Sequence, residues 1–153
     1  MTPAIDLLKK QKIPFEVLSY EHDKNNSHYG LEAVEKLNLD SAQVFKTLVL
    51  ETQEGQLIVA VTPVSQQVNL KQLAKLCGAK KVIMAPPQKV QVSTGYILGG
   101  VSPLGQKKRL ATFIHNSALL FDTIYVSAGK RGLEIALSPT DLAVLTNAKF
   151  GDL

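Results

Sequence analysis

From Val44 onward the sequence breaks into short apolar segments rich in β-branched residues, each closed by glycine, proline or a polar pair. Runs of this length suit strands better than helices. Val44–Glu51 and Gln56–Thr62 flank Thr52-Gln-Glu-Gly55 and read as a β-hairpin. Lys80–Ala85, Tyr96–Ser102, Leu110–His115, Phe121–Val126 and Leu133–Leu137 continue the series. Helical patterns enter at the start, middle and end. Thr2-Pro3 supplies an N-cap and a first-turn proline ahead of Ile5 and Leu8, and that helix ends before Ile13-Pro14. A short strand-like stretch from Phe15 to Tyr20 follows. Ser27 can cap a second helix whose apolar stripe is Leu31, Val34 and Leu37, with Asn38 suited to its end. Asn69 caps a third, placing Leu70, Leu73, Ala74 and Cys77 on one face before Gly78. Pro86-Pro87 opens an irregular or briefly helical segment leading to Ser93-Thr-Gly95, and Ser138-Pro139 starts a last helix reaching Leu145. Six or more strands with helices so distributed predict an α+β domain with a mixed, mostly antiparallel sheet. Strict βαβ alternation is absent, which argues against a doubly wound nucleotide fold.

At 153 residues the chain suits one core. Its 45% hydrophobic and 20% charged residues are those of a globular domain, not a disordered chain. No apolar run is long enough to cross a bilayer, and Met1–Lys12 lacks a signal-peptide core, so a cytoplasmic protein is expected. The single cysteine, Cys77, cannot form an internal disulfide or a cysteine zinc site, and its helical position predicts a small core side chain. The net charge of +4 is too small to prove a nucleic-acid partner, but its placement is suggestive. Lys107, Lys108 and Arg109 form one basic group, Lys130 and Arg131 another, with further lysines at 9, 10 and 12 and at 71, 75, 80 and 81. Each suits either a solvated surface or a phosphate footprint.

Several catalytic devices are excluded by spacing. Gly100–Lys108 imitates a phosphate-binding loop, but Gln106 stands where lysine must follow the glycine, and no Ser or Thr follows Lys108. No serine has G-x-S-x-G surroundings and no H-E-x-x-H occurs. His22, Asp23 and His28 match no established metal-ligand spacing, so no metal or cofactor is expected. His115, within an apolar strand pattern, reads as structural. Gly99–Gly105 and Ser127–Gly132 can expose backbone N–H groups to an anion or a polarised carbonyl, or can equally be tight turns. Lys46 interrupts the apolar run Val44-Phe-Lys-Thr-Leu-Val-Leu50, where it is either a functional cation or a solvent-facing strand residue.

These stretches together resemble the YbaK family of aminoacyl-tRNA deacylases, related to the editing domain inserted in some bacterial prolyl-tRNA synthetases. The resemblance rests on Met1–Leu8, Tyr20 with His22, Phe45-Lys46-Thr47, Ser93-Thr-Gly-Tyr96, Gly99–Lys108 and Ser127–Gly132, whose order and spacing are specific in combination. It implies a β-barrel-like mixed sheet with helices packed around it. It also implies a pocket for the terminal adenosine of tRNA and its esterified amino acid. The family's essential lysine falls on Lys46, beside Thr47; its pocket residues fall on Tyr20, Tyr29, Gly99 and Ser127, supported by Gly100, Ser102 and Gly129. Tyr29 replaces a phenylalanine and Ala128 a glycine of the family pattern.

The implied activity is trans-editing: removal of cysteine from tRNA(Pro), and from tRNA(Cys), with prolyl-tRNA synthetase as a companion in a ternary complex. Since the chain offers no strong nucleophile, the substrate's own thiol is expected to attack its ester and leave as a thiolactone. Backbone donors near Lys46 and Gly99-Gly100 would then hold the oxyanion. Lys107, Lys108, Arg109, Lys130 and Arg131 are the residues expected to meet tRNA phosphates. Two other readings stand beside this one: a broader deacylase that directs water, and a tRNA-binding module without catalysis.

Overall fold

The structure, a computed structural model, describes residues 1–153. Thr2 caps α1 (Pro3–Lys10), its hydroxyl accepting from Ile5 N–H and donating to the buried carbonyl of Ala128, so the first turn is tied to the far end of the chain. Next come β1 (Glu16–Ser19), α2 (Tyr29–Leu37) and the hairpin of β2 (Phe45–Thr52) with β3 (Leu57–Pro63). They are followed by α3 (Leu70–Cys77), β4 (Val82–Met84), α4 (Pro87–Thr94) and β5 (Ala111–His115). After a 3₁₀ turn at Asn116–Leu120, the chain forms β6 (Ile124–Ser127), β7 (Leu133–Leu137), α5 (Pro139–Thr146) and β8 (Lys149–Gly151). Asn69 and Ser138 cap α3 and α5 through their side chains, as the sequence predicts.

The strands make two sheets. One has the order β1-β7-β6, antiparallel throughout; the other has the order β4-β2-β3-β5-β8, in which β5 pairs parallel with both β3 and β8. An isolated bridge between Val44 and Tyr125 joins them, so the expected barrel-like closure is replaced by two open sheets in contact. Period-two alternation in the hairpin explains the two cores. Val49, Val59 and Val61 face the main core, which α1 and the three-stranded sheet complete with Leu8, Val126 and Ile135. Leu50, Ile58 and Ala60 face the opposite way, under Leu73 and Ala74 of α3. Because both faces are buried, β2 and β3 read as nearly continuous apolar runs. No helix is long and apolar enough to cross a membrane.

Four further expectations are corrected. Tyr96–Ser102 is a loop, not a strand: Gly95 and Gly99 adopt φ of +82° and +85°, and Gly100 N–H closes a turn on Ile97 C=O. The residue at the N-cap of α2 is His28, with Ser27 one position too early. The inward residues of α2 are Glu32 and Ala33, while Leu31 is half exposed, because this helix packs on a polar loop and the rim of a cavity. Cys77 is only partly buried, at the margin of the smaller core. His115 behaves as a structural residue, its Nδ1 accepting from Ser117 N–H. The three-residue β8 is too short to show any periodicity.

Candidate active site

A cavity of about 330 Å³ opens between α2, the start of β2 and the outer face of the three-stranded sheet. Its walls are mainly apolar, from Phe45, Leu48, Val64, Leu98 and Val101 among others. The polar groups set into them are Tyr20, His28, Lys46, Thr47, Ser127 and Glu134. The volume lies at the small end of ligand pockets, roughly 300–1,000 Å³.

Alternation along β2 puts Lys46 on the same face as Leu48 and Leu50, the face covered by α3, so it is not an ordinary solvent-side strand lysine. It sits where that core ends, and its Nζ donates to Gln66 C=O at 2.9 Å. No carboxylate lies within ion-pair distance. Burial lowers its pKa. An ammonium that has lost part of its hydration and has no counter-ion favours an anion or a carbonyl oxygen brought into the cavity. Next to it, the buried Thr47 hydroxyl has no hydrogen-bond partner in the protein.

Glu134 is the strongest feature that sequence reasoning missed. It lies on β7, opposite Leu18 of β1 and Ser127 of β6, only 7% exposed. Burial raises its carboxyl to about 8, so at neutral pH it is mostly protonated. Its proximity adds to the burial that pushes the Tyr20 phenol up to about 12, which keeps that hydroxyl a donor. The available signal was the one that singled out Lys46: a charge in the middle of an apolar run, here Leu133-Glu-Ile-Ala-Leu137.

Gly99 forms part of the opposite wall. Its φ of +85° favours glycine, and a Cβ there would stand 2.9 Å from the Tyr29 ring and 2.8 Å from Arg131 Nε. The Gly99 N–H has no acceptor, whereas the Gly100 N–H is already engaged by Ile97 and is unavailable to an oxyanion. Ser127 Oγ accepts from Gly129 N–H at 3.1 Å and bonds no imidazole. Ser102 is fully buried, its hydroxyl accepting from Leu104 N–H within the 102–106 loop. Gly129 supports the site from behind, since a Cβ there would strike the Tyr96 ring at 2.5 Å. Tyr20, Tyr29, Lys46, Thr47, Gly99 and Ser127 therefore meet in the cavity, while Gly100, Ser102 and Gly129 do not line it.

The basic residues separate. Arg131 lies behind the cavity wall: its Nε and Nη2 donate to Leu98 C=O at 3.0 and 2.6 Å, and its guanidinium stacks 4.8 Å from the Tyr29 ring centroid, Leu98 and Tyr29 both being lining residues. These contacts make it a structural brace for the wall. Lys107, Lys108 and Arg109 are exposed along another groove that also includes Gln11 and Val144, and shares no lining residue with the cavity. Lys130 is exposed on the 127–132 loop.

Comparison with known proteins bears on the family and the fold. The family described as the aminoacyl-tRNA editing domain matches residues 27–145. EbsC of Enterococcus faecalis (strain ATCC 700802 / V583), described as a candidate Cys-tRNA(Pro)/Cys-tRNA(Cys) deacylase, is 39% identical over 153 residues, covering 99% of this chain and 92% of that protein. A crystal structure described as a candidate trans-editing enzyme for prolyl-tRNA synthetase has TM-score 0.85 at 21% identity, covering 100% of this chain and 97% of the other. The hypothetical protein APE2540 has TM-score 0.87 at 22% identity, covering 99% and 98%. At these identities the two structures establish the fold.

Proposed function

Because the chain belongs to the aminoacyl-tRNA editing domain family, we propose that it is a trans-editing deacylase that frees cysteine wrongly esterified to tRNA(Pro), and also acts on tRNA(Cys). The observation that carries this reading is a small cavity holding an unpaired ammonium and a protonated carboxyl, without a nucleophile–base pair. Lys46 faces the negatively charged backbone or the ester oxygen of the acylated terminus. Glu134 meets the α-amino group: its protonated carboxyl can donate to a neutral amine, while an ammonium brought beside it favours the ionised carboxylate.

The substrate supplies the nucleophile. The cysteine thiol loses its proton, its sulfur bonds the ester carbon, the ester C–O bond breaks, and the ribose oxygen leaves with a proton. The resulting thiolactone then opens in water to cysteine. The Gly99 N–H is an unpaired donor suited to the developing oxyanion. Intramolecular attack in a held geometry gains an effective molarity on the order of 10⁵ M or more, which compensates for the missing protein nucleophile. Prolyl-tRNA synthetase is the companion in the cell.

Glu134 also favours a second reading. A carboxyl with a pKa near working pH suits a general base, and could direct water onto esters of other small amino acids. S-methylcysteinyl-tRNA(Pro) separates the two, because it fills the cavity but cannot attack. Under the thiol scheme it persists while cysteinyl-tRNA(Pro) is cleaved; rapid hydrolysis of both would replace that scheme with the water-directed one. Lys46→Ala should abolish deacylation in a folded protein, and a wild-type rate would remove Lys46 from the site.

A further inference from the structure

The cavity's two aromatic walls stand at the ends of a segment that no sheet or helix holds. Tyr20 follows β1 and Tyr29 opens α2, and residues 21–28 between them contain only local turns. Facing this segment from α2 is Glu32, 1% exposed and the only acid with three polar partners. Oε1 lies 2.6 Å from His22 Nδ1, while Oε2 accepts from Asp23 N–H at 2.8 Å and pairs with Lys36 Nζ at 3.2 Å. Burial by itself would raise the Glu32 carboxyl, but these bonds outweigh it and hold it at about 2, so it remains ionised.

Each side-chain partner continues to one wall. The His22 ring packs against Tyr29, with centroids 5.9 Å apart at 44°. Lys36 Nζ sits 6.0 Å from the Tyr20 ring centroid and also donates to Glu21 C=O, the residue beside that tyrosine. A buried ion network seldom stabilises more than a well-packed apolar group would, so its value lies in fixing one geometry. We propose that Glu32, acting through His22 and Lys36, is a positioning clamp that holds Tyr20 and Tyr29 at a set separation and thereby selects the aminoacyl side chain that fits between them. The selectivity half rests on the deacylase reading; the positioning half does not.

The test compares Glu32→Gln, His22→Asn and His22→Ala with the wild type. kcat/KM is measured on Cys-tRNA(Pro) and on correctly charged Pro-tRNA(Pro), alongside acrylamide quenching of tyrosine emission. Quenching is usable because the chain has four tyrosines and no tryptophan. Glu32→Gln should melt cooperatively, lose about 10²-fold in kcat/KM for the cysteinyl ester, and become more quenchable, since an error near 1 Å costs about that much. Its preference for cysteinyl over prolyl ester should narrow by about tenfold, the range for small differences in side-chain size. His22→Asn, which retains a donor toward Glu32 but loses the ring packed on Tyr29, should fall between wild type and His22→Ala in all readouts, and His22→Ala should resemble Glu32→Gln. A folded Glu32→Gln with unchanged kinetics, preference and quenching overturns the clamp. So does a His22→Asn as impaired as His22→Ala with quenching unchanged, which would make the imidazole an acid–base group. A wild-type protein inert toward the cysteinyl ester would remove the deacylase reading, leaving quenching alone to decide the positioning half.

Discussion

Replacing Glu134 with glutamine should stabilise the protein at neutral and alkaline pH, and not at acidic pH. The carboxyl has no hydrogen-bond partner in the protein, so the amide of the same shape breaks no contact. Burial raises its pKa from 4.5 to about 8. Between those values the unfolded chain releases the proton and the folded chain keeps it, so wild-type stability falls as pH rises through this window. At pH 7, about 2.5 pH units above the unfolded value, the penalty is about 3 kcal/mol at ~1.4 kcal/mol per unit. Glutamine carries none of it. For a domain of this size, about 2–4 °C of melting temperature per kcal/mol converts this to a gain of about 6–12 °C. Melting both proteins by circular dichroism from pH 4.5 to pH 8 isolates the effect, because Glu32 and all other titrating groups are common to the pair. The two curves should nearly coincide at pH 4.5 and separate steadily above it. Parallel curves across the range would mean that Glu134 ionises normally, and the protonated carboxyl assigned to the cavity would fall with it.

Cys77→Ser should leave deacylation within about twofold and lower stability by about 1 kcal/mol, because the thiol lies at the edge of the smaller core, outside the cavity; a large loss of activity in a folded variant would reopen a protein-nucleophile mechanism. Arg131→Met should weaken activity by lowering kcat and raising KM together, since the guanidinium ties Leu98 to Tyr29, and it should leave the salt dependence of tRNA binding unchanged. A reduced salt slope would instead make Arg131 a phosphate contact. Changing Lys107, Lys108 and Arg109 together should lower the log–log salt slope by somewhat under one per contacting charge, read by filter binding at several ionic strengths. An unchanged slope would assign that groove a role other than tRNA.

Much of the architecture was legible because its signals are local. Thr2-Pro3, Asn69 and Ser138-Pro139 announce helix starts through hydrogen bonds within a few residues, and the Val44–Thr62 hairpin is announced by a turn between two β-branched runs. Lys46 was visible as a charge in an apolar strand, and the order of the glycine loops carried the family resemblance. What depended on distant neighbours was not visible. Tyr96–Ser102 has strand-like composition, yet it turns because Arg131, 33 residues away, takes the Leu98 carbonyl and Tyr29 leaves no room beside Gly99. Arg131 itself looks like a surface cation in sequence and becomes a brace only when the 127–132 loop meets α2. Leu31, Val34 and Leu37 form an apolar stripe, but α2 turns Glu32 inward because three donors wait there. Glu134 shows the same division most plainly. Sequence determined that a carboxyl would sit on β7, and only the packing of β1 and β6 on either side removed enough water to keep it protonated. Local hydrogen bonding and side-chain periodicity are encoded over a few residues; desolvation and the pairing of charges depend on which segments the fold brings together.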